Sequence, residues 1–176
     1  IEPLAQHLFF LESERWRPLR SKLSPIFTSG KLKEMFPLVV ECAGNLEKFL
    51  DRVSDSGQPV ECHEMSAKFT TDVIGSCAFG VSMNALEDED SEFRKMGRRI
   101  FRDFKPQARN ICRQLAPWLM KVLGRFLQSA EVNNFFINLV RSTMQYREEN
   151  NVNRPDMINM LMELKKHPDK VNSIGE

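Results

Sequence analysis

The sequence predicts a mainly α fold, and three observations carry that prediction. Apolar residues recur at a period near that of a helix from end to end, strict alternation is almost absent, and Gly57, Pro59, Gly80 and Pro168 punctuate the joints. Gly and Pro together make 17 of 176 residues, charged residues 28% and apolar ones 41%, which excludes collagen-like, low-complexity and strongly disordered chains.

Each element follows from its spacing. Arg15-Trp16-Arg17-Pro18-Leu19-Arg20 reads as a first helical segment, with Pro18 requiring either a start very near Trp16 or a local bend. From Pro37 to Val53, the residues Val39, Val40, Ala43, Leu46, Leu50 and Val53 form one face. Pro37 suits the first turn, where a missing N–H is harmless. Gly57-Gln58-Pro59 ends that helix, and Pro59 to Cys62 suits a short extended piece. Glu64 to Ala78 is helical on Met65, Phe69, Val73, Ser76 and Cys77, with Gly80 as the stop. The acidic run Glu87-Asp88-Glu89-Asp90 sits where a helix N-terminus favours negative charge, ahead of Phe93, Met96, Gly97, Ile100, Phe101 and Phe104. Val132, Phe135, Phe136, Leu139, Val140, Thr143 and Met144 stripe a long surface helix from Glu131 to Glu149. A last helix begins at Pro155-Asp156, buries Met157, Ile158, Leu161 and Leu164, and ends before His167-Pro168. No internal repeat or dividing linker is present in the sequence.

Charge and composition exclude several functions. Twenty-five Lys and Arg against 24 Asp and Glu give a net charge of +1, so no overall field points to nucleic acid or an anionic membrane. The longest apolar runs fall far short of the roughly 18–20 residues that cross a bilayer. Cys42, Cys62, Cys77 and Cys112 form no C-x-x-C pair and lie at no metal-ligand spacing with a histidine, so they are expected to be reduced core thiols in a cytosol-facing protein. His7, His63 and His167 are far apart, and no phosphate loop, H-E-x-x-H or nucleophile elbow occurs. A hydrolase or metal enzyme confined to these residues is therefore not expected. Ile1 in place of methionine and the polar ending Val171 to Glu176 suggest a piece of a longer chain.

The densest chemical pattern is Trp16-x-x-x-Arg20, which on a helix projects both side chains from one face. An indole N–H and a guanidinium fork can together hold a carboxylate or a phosphate. A core Trp beside a solvated Arg would show the same spacing. A second basic stretch, Arg94 to Arg113, carries Arg94, Lys95, Arg98, Arg99, Arg102, Lys105, Arg109 and Arg113 against one acid, Asp103. It supports an alternative reading as a helical nucleic-acid-binding module, although its other face is apolar and no docking motif appears.

Several blocks in order carry a resemblance. They are His7-Leu8-Phe9-Phe10, Trp16-Arg17-Pro18-Leu19-Arg20, Leu23-Ser24-Pro25-Ile26-Phe27-Thr28-Ser29-Gly30-Lys31-Leu32-Lys33, Phe69 to Gly80, Glu92 to Gly97 and Tyr146-Arg147-Glu148. In these the chain resembles the microsomal cytochrome P-450 haem-thiolate monooxygenases, closest to the insect xenobiotic-metabolising branch. The resemblance implies the helix C to helix H region of that fold, with residues 1–176 part of one catalytic domain whose N-terminal anchor, helix I and haem-cysteine loop are absent. It implies haem as cofactor, with Trp16 and Arg20 on a propionate, no catalytic or metal-ligating residue within the chain, and His7, Leu8 and Phe9 near substrate. The last three could equally pack beneath a loop.

The implied reaction inserts one oxygen atom of O2 into a small lipophilic substrate, xenobiotic or endogenous. Electrons would come from an NADPH-dependent flavoprotein reductase at the cytoplasmic face of the endoplasmic reticulum membrane. Arg15, Arg17, Lys22, Lys31 and Lys33 would then face that reductase, or be an ordinary solvated surface. Leu115 to Leu127, with Lys121 and Arg125 between apolar residues, would touch the membrane surface or form a buried helix. None of the cysteines has the family's F-x-x-G-x-x-x-C setting, and Ala43-Gly44-Asn45-Leu46-Glu47 departs from A-G-x-x-T at its last residue. The iron ligand and the oxygen-activating helix are thus expected outside these residues, and no nucleic acid is expected as partner.

Overall fold

A computed structural model describes residues 8, 11–57, 59–88, 91–103 and 130–166. Helices dominate, and no strand occurs among the described residues. Helix α1 (Ser13–Leu23) runs through a 3-10 turn (Ser24–Phe27) into α2 (Ser29–Ser56). Next come α3 (Cys62–Ile74), which passes directly into a π-helical turn (Gly75–Phe79), and α4 (Glu92–Asp103). Helices α5 (Ala130–Asn150) and α6 (Met157–Lys166) follow. The mainly α expectation holds.

Two prolines lie deeper in their helices than the sequence pattern implies. Helix α1 starts at Ser13, so Pro18 is its sixth residue and the Glu14 carbonyl loses its usual N–H partner. Helix α2 begins at Ser29, eight residues before the expected start at Pro37, because nothing in Gly30 to Phe36 stops a helix. Its core line is also rotated: Met35, Leu38 and Cys42 are buried, while Val40 and Leu50 of the expected face are exposed. Gly57 closes α2 in the left-handed region, φ 65°, as its position suggests.

The piece expected to be extended shrinks, since Cys62 already opens α3. The Glu61 carboxylate caps that helix, accepting from the backbone N–H groups of His63 and Glu64. Met65, Phe69 and Val73 are only half-buried, and the innermost line is polar: Lys68, Asp72 and Ser76, at successive i, i+4 steps. Asp72 is satisfied there because its carboxylate accepts from Ala85 N at 2.7 Å and from Leu86 N.

The π-helical turn is the crossing point of the fold, touching α2, α3, α5 and α6. Phe79 at its end meets Phe93 of α4 edge-on at 5.1 Å and Phe136 of α5 at 5.6 Å, and Phe93 meets Phe136 at 5.4 Å. Edge-to-face pairs contribute roughly 0.5–1.5 kcal/mol each beyond their area burial. Val132, Met83, Met96, Phe135 and Leu139 complete this cluster, which fixes α4 and α5 against the turn. The side chains of Ile100 and Phe101, and Phe104 itself, lie outside the described residues, as does the segment 115–127. Of the acidic run, Glu87 pairs across to Arg52 at 3.2 Å.

Candidate functional site

Helix α1 is anchored at its start by Glu12, whose carbonyl accepts from Arg15 N at 3.0 Å and Trp16 N at 2.8 Å. With no buried residue on α1, both members of the Trp16/Arg20 pair project from one exposed helix face, and Trp16 is 40% exposed. Among the described residues Trp16 is thus not part of a buried core. At the other end of the pair, Arg20 Nη1 donates to Ser24 Oγ at 2.6 Å, and Ser24 Oγ donates to the Arg20 carbonyl at 2.8 Å. Among the described residues the guanidinium has no carboxylate partner. The pair supplies donors only, one from the indole and a cationic fork from arginine, and this donor chemistry fits an anionic carboxylate such as a propionate.

Leu8 is a half-buried turn residue, and His7 and Phe9 lie outside the described residues. The basic cluster is spread over two helices. Arg15, Arg17 and Lys22 are exposed on α1, and Lys33 is exposed on α2. Lys31 is drawn out of the cluster, since its Nζ pairs with Glu34 Oε2 at 2.7 Å. A groove of about 670 Å³ opens between the 3-10 turn, the start of α2 and α6, lined by Pro25, Ile26, Lys31, Met160 and Leu164 among others. Neither Leu8, Trp16 nor Arg20 lines it.

A second polar centre was not foreseen from the sequence. Arg147 Nη1 and Nη2 donate to Asp156 Oδ1 and Oδ2 at 2.7 and 2.5 Å, a bidentate pair with Arg147 3% and Asp156 0% exposed. Asp156 also precedes α6 as its cap, accepting from Asn159 N at 3.0 Å. Arg154 adds a contact to Asp156 Oδ2 at 3.7 Å and donates to Ser76 Oγ at 2.5 Å. Gly80, φ 67°, lies flat against the pair: a Cβ there would run into Arg147 Nη2 and approach Asp156 Oδ2 to 2.7 Å. The available signal was spacing, because Val132, Phe136, Thr143 and Arg147 all lie on the buried line of α5. Here three elements, the π-helical turn, α5 and α6, are tied by one saturated set of donors and acceptors.

Three basic residues of α4, Arg94, Arg98 and Arg99, make ion pairs within the fold. Arg94 is 6% exposed and, with Arg98 at 2.8 Å, clasps the Glu64 carboxylate of α3, while Arg99 pairs with Glu131 of α5 at 2.6 Å. Burial tends to raise the Glu64 pKa, but the two guanidinium groups outweigh it and hold the carboxyl below its ordinary value. Cations committed in this way are not presented to phosphates, and nothing in the geometry favours the nucleic-acid alternative. Lys105, Arg109, Arg113 and the side chain of Arg102 lie outside the described residues.

Among the described cysteines only Cys42 is fully buried, Cys77 is half-buried, and Cys62 is exposed at the start of α3, which corrects its expected place in the core. Burial pushes the Cys42 and Cys77 thiols up, away from thiolate. No group of three or more His, Cys, Asp or Glu able to hold a metal occurs among the described residues, and no described helix is long and apolar enough to cross a membrane.

Comparison with known proteins fixes the family. The family model described as Cytochrome P450 matches residues 2–174. "Probable cytochrome P450 6a21" of Drosophila melanogaster is 40% identical over 177 residues, covering 99% of this chain and 35% of that protein. "Cytochrome P450 6k1" of Blattella germanica is 37% identical, covering 98% of this chain and 33% of that protein. "Cytochrome P450 6A1" of Musca domestica is 34% identical, with 99% and 34% covered. The chain spans about a third of the length of the curated relatives it matches. With a family match over nearly its whole length and helices throughout, this chain belongs to the cytochrome P450 family.

Proposed function

We propose that these residues are part of the catalytic domain of a haem-dependent monooxygenase, in which Trp16 and Arg20 bind a haem propionate. The observation that carries the reading is the shared exposed face of α1, where an indole N–H and a guanidinium stand one helical turn apart with no carboxylate partner among the described residues. When bound, the haem supplies the redox chemistry by which one oxygen atom of O2 enters a lipophilic substrate. The role of this chain is to hold that group: Arg20 neutralises the propionate charge, Trp16 donates to it, and the buried Arg147–Asp156 pair keeps the surrounding helices in place.

The iron ligand of such an enzyme is a cysteine thiolate. None of Cys42, Cys62, Cys77 and Cys112 has the family's F-x-x-G-x-x-x-C setting, which supports a ligand from outside this chain. His7, Leu8 and Phe9, shortly before α1, are substrate-proximal in this reading. Electrons come from an NADPH-dependent flavoprotein reductase docking on the exposed Arg15, Arg17, Lys22 and Lys33. The enzyme works at the cytoplasmic face of the endoplasmic reticulum membrane, on xenobiotic or endogenous substrates, with 115–127 against the membrane surface. Family membership and the cytochrome P450 relatives from insects support this reading.

The test is haem content in the full-length protein. Trp16→Ala and Arg20→Ala are each expected to lower the haem-to-protein ratio and the carbon-monoxide difference signal. Wild-type values in both variants would remove the anchoring role.

A further inference from the structure

Arg20 is not left to find its ligand unaided. Helix α1 ends where Ser24 meets Pro25, which has no N–H to continue the ladder. At that point the Arg20 carbonyl receives two donors from one residue, the Ser24 backbone N–H and the Ser24 hydroxyl at 2.8 Å. A serine hydroxyl has a single proton. With that proton committed to the carbonyl, the oxygen turns its lone pairs outward, and Arg20 Nη1 donates to it at 2.6 Å. The backbone beneath Ser24 is fixed in turn, because the Pro25 carbonyl accepts from Thr28 N at 3.4 Å and Thr28 Oγ1 at 3.1 Å.

We propose that Ser24 is a positioning residue for Arg20, holding its guanidinium by one N–H so that the rest of the fork is presented to the haem propionate. The inference rests on the anchoring role given to Arg20 above. Arginine has five N–H donors, and one bond to Ser24 leaves four. Without the serine, a long exposed side chain must be ordered at the moment of binding, a loss that corresponds to about a three- to tenfold change in affinity for one such side chain. The closed ring of carbonyl, hydroxyl and guanidinium makes that selection before the ligand arrives.

The experiment measures haem transfer from the full-length protein to excess apomyoglobin, which reads haem retention without turnover. Ser24→Ala is expected to release haem about three- to tenfold faster than wild type, and Ser24→Thr, which keeps the hydroxyl, to restore slow release. In an Arg20→Ala background, Ser24→Ala is expected to add nothing, since the residue it positions is gone. Resonance Raman spectra of Ser24→Ala are expected to show a shifted propionate bending mode, which a purely structural helix-end role would leave in place. Fast release from Arg20→Ala with wild-type release from Ser24→Ala would overturn the positioning role alone, as would additive effects in the double variant. Wild-type release from Arg20→Ala would overturn the anchoring reading itself.

Discussion

Arg147 and Arg20 are the same side chain in opposite circumstances. Arg147 is buried, and both arms of its fork are matched by the carboxylate of Asp156, itself buried and further bonded to Asn159 N. Arg20 is exposed, held by a serine hydroxyl, with no carboxylate among the described residues. A saturated buried pair has no capacity left for a ligand and every reason to hold a fold together. An exposed donor set with an unfilled fork costs the fold little and retains its capacity to bind. The contrast separates the scaffold from the site within one chain.

The comparison can be broken first at the buried pair. Asp156→Ala strands two arginines and uncaps α6, so the full-length protein is expected to lose about 3–5 kcal/mol of stability in a denaturant titration. A loss below about 1 kcal/mol would mean that the pair does not organise the helices. Gly80→Ala comes next, at about 2 kcal/mol by the same measurement, because it places a Cβ in the left-handed region and pushes Arg147 off Asp156. If Gly80→Ala and Asp156→Ala act through one cluster, their effects should be less than additive.

Acidity distinguishes two other carboxylates of the scaffold. Glu64 is held below its ordinary value in the fold, so its contribution is present above that ordinary value and is lost as pH falls through the lower, folded one. Asp72 has the opposite sign: burial raises it, against the opposing bonds from Ala85 and Leu86. Its contribution is fullest in acid, below the ordinary value, and declines as pH rises through the raised one. As pH is lowered from just above the ordinary glutamate value through the lower, folded one, denaturation midpoints should therefore fall less steeply for Glu64→Gln than for wild type. Identical slopes would show that the Arg94 and Arg98 contacts do not hold that carboxyl.

Arg20→Ala is expected to have the smallest effect on folding, within about 0.5 kcal/mol, as for other exposed substitutions outside the core. An effect as large as that of Asp156→Ala would place Arg20 in the scaffold and end the contrast.

Much of this was legible in the sequence, for identifiable reasons. Helical period and stop residues such as Gly57 and Gly80 are local, and so was the spacing that puts Trp16 and Arg20 on one face. The start of α2 was misplaced because Pro37 looks like a first-turn residue, while Thr28, the residue that does precede the helix, turns its hydroxyl back to the Pro25 carbonyl instead of capping. The rotation of its buried face depends on what α3 and the π-helical turn present, which no window along the chain contains. The Arg147–Asp156–Gly80 centre was invisible for the same reason: its members come from three elements, and each taken singly reads as a surface charge, a helix cap and a stop. The polar line Lys68, Asp72 and Ser76, running from α3 into the π-helical turn, was hidden because residue type normally sends such side chains outward.

The most direct test of the central claim is the haem-to-protein ratio of full-length Trp16→Ala/Arg20→Ala, measured on protein whose far-ultraviolet circular dichroism matches wild type. A ratio well below wild type at an unchanged helical spectrum is the predicted result. A wild-type ratio would contradict the assignment of α1 as the haem-holding face.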